Sequence, residues 1–182
     1  MDNSTPSAPA VEVAGLSVQL HREFKVGSLR YFDAAGPFAG AMGERFGGPL
    51  PEPLRAIAYS LDASPGELIL AWRSPTETLL LTTDGAAFAA ILGVANDSSA
   101  GCMVDQTGGL WAWRVTGALA RDLLLRLGSS ASIPALGEAR VSRVAELPVM
   151  ALCVHDGQII LLVERVYSEH LLGWISETAA DF

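Results

Sequence analysis

The sequence contains little charge, and most of that charge is negative. Only 18% of the 182 residues are charged, and 12 basic against 20 acidic residues give a formal net charge of −8. Such a chain repels a phosphate backbone, so no nucleic acid partner is expected. Half of the residues are hydrophobic, which is enough for a globular protein with a sizeable core.

Long apolar runs and targeting signals are also missing. No apolar run reaches the roughly 18 residues that a membrane-spanning helix needs. The opening residues MDNSTPSAPAVEV have neither the basic nor the apolar region of a signal peptide. We therefore expect a cytoplasmic protein with no membrane partner and a disordered N-terminal tail over residues 1–12.

Cysteine and histidine are scarce. Cys102 and Cys153 are too few for a metal site, and in a reducing compartment we expect buried hydrophobic thiols rather than a disulfide. His21, His155 and His170 do not have the spacing of zinc-binding motifs, and we interpret each as a surface histidine.

Motifs for nucleotide binding and nucleophilic catalysis are absent. Neither G-x-G-x-x-G nor G-x-x-x-x-G-K-[ST] occurs, and the glycines of 101–109 are interpreted as a turn between two halves. The segment around Ser64, DASPGE, comes nearest to G-x-S-x-G but lacks the first glycine.

What the sequence does contain is an internal repeat. A single ungapped offset in the numbering aligns Gly36 with Gly117 (117 − 36 = 81). The residues 79–81 then align with 160–162. Further aligned pairs are Phe32 with Trp113, Phe38 with Leu119, Met42 with Leu123, Phe46 with Leu127, Pro53 with Pro134 and Trp72 with Cys153.

Each repeat predicts a strand followed by a helix. Residues 29–34 and 110–115 are aromatic and β-branched, as is typical of strands. The apolar residues that follow recur at every fourth position, which predicts helices that end at Gly47 and Gly128.

A hairpin and a second helix are predicted next in each repeat. The hairpins cover 67–83 and 148–164, and helices follow at 84–94 and 168–182, with Asp84 and Ser168 as their N-caps. An extra strand at 55–61 or 139–144 is left open. This order predicts an α+β fold in which helices cover antiparallel sheets. We place the two halves of one compact domain at 13–100 and 101–182.

A few polar and aromatic residues are candidates for function. Asp105 fits a general base, but Asp before Thr and two glycines is also typical of a capped turn. The carboxylates of Asp62 and Glu67 flank loops without a catalytic spacing. No catalytic, cofactor-binding or metal-ligating residue is assigned. We expect Trp111, Trp113 and Trp174 in the core and Trp72 at an interface.

Taken in order, these segments resemble the gamma subunit of heterotetrameric sarcosine oxidase. The residues that carry the resemblance cover nearly the whole chain after about residue 25. In the first half they are Trp72, Pro75, Glu77, Leu79 and Leu80, and in the second half Val104, Asp105, Thr116, Gly117, Arg165, Tyr167 and Trp174.

The resemblance implies a fold like the folate-binding domain of the glycine-cleavage T-protein. It also implies a subunit without a flavin, whose larger partner subunits bind FAD, FMN and NAD, use tetrahydrofolate and oxidise an N-methyl amine such as sarcosine. The T-protein's catalytic aspartate has no counterpart in the stretch 158–161, so aminomethyl transfer by this chain alone is not expected.

Three hypotheses follow. The first is a non-catalytic gamma-type subunit with an apolar face towards its flavin-bearing and folate-binding partners. The second is a stand-alone folate or small-molecule binding protein, with a pocket between the halves lined by Asp105 or Glu77. The third is a structural homodimer that uses the same apolar face on a second copy.

Overall fold

Two antiparallel β-sheets and four α-helices form the structure, a computed structural model that describes residues 10–60 and 66–182. The strands are β1 (Val11–Val13), β2 (Leu16–His21), β3 (Lys25–Tyr31), β4 (Ala56–Ser60), β5 (Glu67–Ser74), β6 (Glu77–Thr82), β7 (Gly101–Asp105), β8 (Leu110–Thr116), β9 (Glu138–Val144), β10 (Leu147–His155) and β11 (Gln158–Glu164). The helices are α1 (Pro37–Phe46), α2 (Gly85–Asn96), α3 (Ala120–Leu127) and α4 (Ser168–Ala179), with short 3-10 helices at Ser130–Ser132 and Arg165–Tyr167.

The two sheets are built in related ways. The first sheet has the order β1-β2-β8-β11-β10-β9, and the second has the order β4-β5-β6-β3-β7. In each sheet a hairpin, β10–β11 or β5–β6, lies at or next to the centre. An isolated bridge between Arg55 and Glu138 joins the two sheets near their β4 and β9 edges. None of the helices in the described part of the chain is long and apolar enough to cross a membrane.

The elements form four layers, in the order helices, sheet, sheet, helices. Three apolar clusters lie between these layers. Side chains from both sheets, among them Val26, Leu79 and Leu162, form one cluster between the sheets. A second cluster packs α3 and α4 against the first sheet, and a third packs α1 and α2 against the second sheet. Because both faces of each sheet are covered, the central strands carry long buried apolar runs.

The two sheets exchange one strand in each direction. β2 precedes β3 in the chain but pairs with β8, and β7 precedes β8 but pairs with β3. At the end of β8 the backbone passes close to the start of β2. There, Gly117 has a φ of 106°, and a Cβ atom would lie 2.3 Å from the carbonyl oxygen of Gly15. Only glycine fits this position.

Several sequence-based expectations are confirmed. The fold is α+β, and both hairpins form in the predicted segments. Helix α1 buries its apolar stripe and ends at Gly47, whose φ of 78° is left-handed. Asp84 caps α2 by accepting bonds from the backbone N–H groups of Ala86 and Ala87. Both of the open strand positions are occupied, by β4 and β9.

The interpretation of 101–109 as a turn is wrong for its first five residues. They form β7, an edge strand beside β3. The partner strand β3 precedes both α1 and α2 in the chain, and local sequence patterns do not report such a distant pairing. The expected N-terminal tail likewise overlaps β1, whose Val11 and Glu12 pair with β2.

The offset between the predicted repeats holds for the hairpins and for the ends of α1 and α3, at Phe46 and Leu127 (127 − 46 = 81). The hairpin turns begin at Ser74 and His155, which differ by the same offset (155 − 74 = 81). The strands β3 and β8 begin at Lys25 and Leu110, which differ by a larger one (110 − 25 = 85). A repeat that runs ungapped through the whole unit, and the boundary between its halves at residue 100, stay predictions.

Two expectations for the last helix are corrected. Ser168 does not cap α4, because it is the first helical residue and its buried hydroxyl instead accepts a hydrogen bond from Trp113 Nε1 at 2.8 Å. Trp174 is not in the core. It is 46% exposed, since it lies on the solvent side of α4, where its indole donates to His170. Trp113 is buried as expected, whereas Trp111 is partly exposed and stacks under Arg22.

We expect Ser168→Ala to lower the free energy of unfolding by about 1–3 kcal/mol, because the buried indole N–H of Trp113 would lose its acceptor. Urea denaturation followed by tryptophan fluorescence measures this loss. Ser176→Ala, at an exposed position of the same helix, is the matched control and should change stability by less than about 0.5 kcal/mol. Equal losses in the two variants would contradict the assignment.

Candidate functional site

Charged side chains collect where the apolar layer between the sheets ends. Along β3 the side chains alternate, so Leu29 and Tyr31 pack towards the helices while Val26, Ser28 and Arg30 face the opposite sheet. Val26 is apolar, Ser28 is fully buried and Arg30 reaches the open end of the layer. The change from apolar to charged along one strand face therefore marks an opening between the sheets.

Glu77 is the centre of a hydrogen-bonded cluster at this opening. It lies opposite Arg30 in the β3–β6 ladder. Its Oε1 accepts a hydrogen bond from Ser28 Oγ at 2.5 Å and one from Arg73 Nη1 at 3.2 Å. Arg30 Nη2 lies 3.9 Å from the same oxygen, and Arg30 Nε donates to Ser28 Oγ at 3.3 Å. One carboxylate thus lies beside two guanidinium groups and accepts a hydrogen bond from one of them.

Two cavities meet at Arg30. The first, of about 630 Å³, lies at the end of the second sheet and is lined by Tyr31, Phe32, Glu77 and Cys102 among others. The second, of about 610 Å³, lies between the ends of the two sheets. We call it the arginine cleft, and its lining consists of Arg30, Arg73, Gln106, Gly108, Gly109, Leu110, Glu164, Arg165 and Val166.

The arginine cleft is assembled by pairings distant in sequence. Leu110 and Glu164 face each other at the ends of β8 and β11, and the backbone N–H of Arg165 donates to the carbonyl of Gly109 at 2.8 Å. These bonds hold the wall from the first sheet. Arg30 and Arg73 form the opposite wall from the second sheet.

Glu77, one of the two carboxylates expected at a pocket, therefore lines a cavity. Asp105 does not line either of the two cavities. Its exposed carboxylate accepts a hydrogen bond from the backbone N–H of Thr107 at 2.8 Å. Hydrogen bonds from the side chain and backbone of Thr107 lower its pKa below the usual range. Asp105 thus forms the capped turn that its sequence context favours, and a carboxylate of lowered pKa is a weaker base.

The three histidines are not brought together. His155 and His170 are exposed, as expected, and His155 Nε2 lies 2.7 Å from Glu67 Oε1. The expectation of a surface residue is wrong for His21, which is only 8% exposed. It is buried because it ends β2, where its ring packs on that of Phe24.

The remaining candidates lie apart from the cleft or outside the described residues. Cys153 is buried, and burial raises the pKa of its thiol. Cys102 is exposed, which corrects the expectation of a buried thiol, because it lies on the edge strand β7; neither cysteine forms a disulfide. Ser64 and Asp62 lie outside the described residues. Within those residues no group of three or more metal-ligating side chains occurs.

Sequence reasoning missed the three arginines as a group. Arg30, Arg73 and Arg165 lie on different strands or turns and share no motif. The one available signal was that each stands next to the end of a predicted strand, where sheets that pack face to face leave an opening.

Stability should fall in mild acid because of His21. Burial is the main cause that lowers its pKa, the charge of Arg114 acts in the same direction, and contact with Glu23 opposes them. The unfolded chain takes up a proton below about pH 6.5, whereas the folded chain does so only at lower pH. The free energy of unfolding therefore decreases as the pH falls from about 6.5 through the pKa of the folded state.

We expect His21→Phe and His21→Leu, which cannot titrate, to lose less stability between pH 7.5 and pH 5.0 than the wild type does. Urea denaturation at the two pH values measures the difference. Two replacements of different shape separate the loss of titration from a change in packing. A wild-type pH dependence in both variants would contradict this role of His21.

Comparison with known proteins finds similar folds among solved structures. No protein-family model and no curated protein matches the sequence. Among solved structures, heterotetrameric sarcosine oxidase from Corynebacterium sp. U-96, in complex with pyrrole 2-carboxylate, contains a similar chain with a TM-score of 0.79 and 16% identity. The match covers 97% of this chain and 89% of that one, so the two chains are of similar length.

A second solved structure has the same fold. The glycine cleavage system aminomethyltransferase T from Bartonella henselae matches with a TM-score of 0.66 and 11% identity. The match covers 88% of this chain but 45% of that one, so this chain spans about half of its length. The fold expected from the sequence resemblance is thus confirmed: the chain has the α+β fold shared by a sarcosine oxidase chain and the T-protein.

Proposed function

We propose that this protein is a gamma-type subunit, without an active site of its own, of a flavoenzyme complex similar to sarcosine oxidase. The observation that carries the proposal is the extent of the structural match, which covers nearly all of this chain and nearly all of a chain from a heterotetrameric oxidase. Two chains that match from end to end can occupy equivalent places in an assembly.

The hydrogen bonding of the two candidate carboxylates supports a role in assembly over one in catalysis. The carboxylate of Glu77 is held by Ser28 and Arg73, and that of Asp105 by the turn at Thr107. A general base must accept a proton from a substrate, and these carboxylates accept hydrogen bonds from their own chain.

In such a complex the partner subunits would carry FAD, FMN and NAD and would use tetrahydrofolate as the one-carbon acceptor. The substrate would be sarcosine or a related N-methyl amine. This chain would bind none of these cofactors and would act by stabilising the assembly.

Exposed apolar side chains beside the two cavities provide a surface for such partners. Phe32 is 92% exposed and borders the first cavity, and Val166 is 77% exposed and borders the arginine cleft. Arg30 lies between them because it lines both cavities. Aromatic and arginine side chains are enriched where proteins meet.

Affinity purification of the tagged chain from its native cells tests the proposal. We expect flavin-bearing chains to co-purify in a fixed ratio, detected by flavin absorbance and identified by mass. A chain that elutes alone and colourless would contradict the subunit role.

Phe32→Asp should weaken this co-purification by about tenfold or more, because it places a charge within an apolar contact. Leu125→Asp is the control, since Leu125 is an exposed apolar residue on α3, away from both cavities. Densitometry of the eluted complex measures both variants. Equal recovery in the two would exclude Phe32 from the interface.

A second candidate is a stand-alone protein that binds folate or another small molecule. The observation that favours it is the first cavity, whose volume of about 630 Å³ suits such a ligand and whose wall includes Glu77. Titration of the isolated chain with tetrahydrofolate distinguishes the candidates, because the subunit role predicts no binding by this chain alone.

A further inference from the structure

The arginine cleft contains one positive and one negative group that lack partners within the described residues. Neither the guanidinium of Arg165 nor the carboxylate of Glu164 makes an ion pair or a side-chain hydrogen bond there. Although the two residues are neighbours in sequence, they do not pair with each other. Both line the same cavity.

On the opposite wall of the cleft both guanidinium groups have a carboxylate beside them. Arg73 and Arg30 lie 3.2 Å and 3.9 Å from the one carboxylate oxygen of Glu77. The charged groups that line the cleft are therefore three guanidinium groups and the carboxylate of Glu164, with Glu77 behind two of the guanidinium groups. The cleft as a whole keeps an excess of positive charge, which favours a carboxylate between Arg30 and Arg165.

Apolar and backbone groups complete the cleft. Leu110 and Val166 supply apolar surface to the lining of the cleft. In the turn at 106–110, which lines the cleft, the backbone N–H groups of Gly109 and Leu110 both donate to the carbonyl of Gln106. Gly108 has open space where a Cβ would lie, so a ligand can approach its backbone closely.

We propose that the arginine cleft binds the zwitterion of an α-amino acid with an apolar side chain. Arg165 and Arg30 hold the carboxylate, Glu164 accepts hydrogen bonds from the ammonium group, and Leu110 and Val166 contact the side chain. A cavity of about 610 Å³ accommodates a ligand of this size. Every residue of the site comes from this chain, so binding can be measured on the isolated chain without the proposed partners.

Isothermal titration calorimetry of the isolated full chain with leucine and two analogues that keep its side chain tests the proposal. The probes are leucine, 4-methylpentanoate, which lacks only the amino group, and 3-methylbutylamine, which lacks only the carboxylate. We expect leucine to bind roughly tenfold or more tightly than either analogue, because each analogue leaves one charged group of the cleft unpaired. Glycine, which lacks the apolar side chain, should also bind more weakly.

Charge-neutral variants locate the site. Arg165→Gln and Glu164→Gln should each weaken leucine binding roughly tenfold. In Arg165→Gln the preference for leucine over 4-methylpentanoate should remain, and in Glu164→Gln it should disappear. The matched controls are Arg45→Gln and Glu177→Gln, at exposed positions outside the cleft, and they should bind leucine as the wild type does.

The proposal is overturned if leucine does not bind, if either analogue binds as tightly as leucine, or if the controls weaken binding as much as the cleft variants. Flavin-bearing chains that co-purify while leucine fails to bind would leave the subunit role intact and remove the amino-acid site. If leucine binds but no flavin-bearing chain co-purifies, the amino-acid site is retained and the subunit role is contradicted.

Discussion

The apolar layer between the two sheets is the interaction on which the rest of the structure depends. Each sheet is covered by helices on its outer face and is apolar on its inner face. The two inner faces would be exposed to water if they did not pack against each other. Side chains such as Ile69, Leu81 and Leu162 meet this requirement. Each large side chain removed from water in this layer contributes roughly 1.5–3 kcal/mol.

The charged cleft follows from where that layer ends. The same strand faces that bury Val26 and Leu79 continue to Arg30 and Glu77. A half-buried carboxylate is costly without partners, and the hydrogen bonds from Ser28 and Arg73 offset this cost. The cluster is thus a structural requirement of the opening, whereas the charges beyond it, Arg165 and Glu164, are exposed and make no ion pair within the described residues.

The likeness to a sarcosine oxidase chain at 16% identity has a physical reason. A four-layer arrangement needs apolar side chains on both faces of the central strands and at every third or fourth helix position, and many sequences meet that pattern. Side chains at the strand ends are under no such constraint. A shared fold therefore allows different chemistry at the arginine cleft, and function must be argued from the cleft itself.

Local patterns predicted the elements that are stabilised locally. The spacing of Phe38, Met42 and Phe46, and the carboxylate of Asp84 before an apolar run, were enough to place α1 and α2. The same reasoning missed β2 and β7, whose pairing partners are remote. It also placed Trp174 in the core, because periodicity reports that a helix has an apolar face but not how wide that face is.

The candidate site was less predictable than the fold. The sequence indicates Glu77 as a carboxylate for a pocket between the halves, and in the structure Glu77 lines the first cavity. Arg30 and Arg165 come together only because β3 and β11 belong to different sheets that face each other. No spacing along the chain records such a meeting, since it depends on how whole sheets pack.

The pairing of β2 with β8 in the first sheet, and of β7 with β3 in the second, affects how the chain folds. Ser17 pairs with Thr116, so the first sheet cannot be completed until these two distant parts of the chain have been brought together. Contacts of such sequence separation carry a large loop-closure entropy and slow the folding of a domain. During synthesis on a ribosome, β2 must wait for β8 to emerge, and the N-terminal segment acquires its place in the sheet only after more than half of the chain has been made.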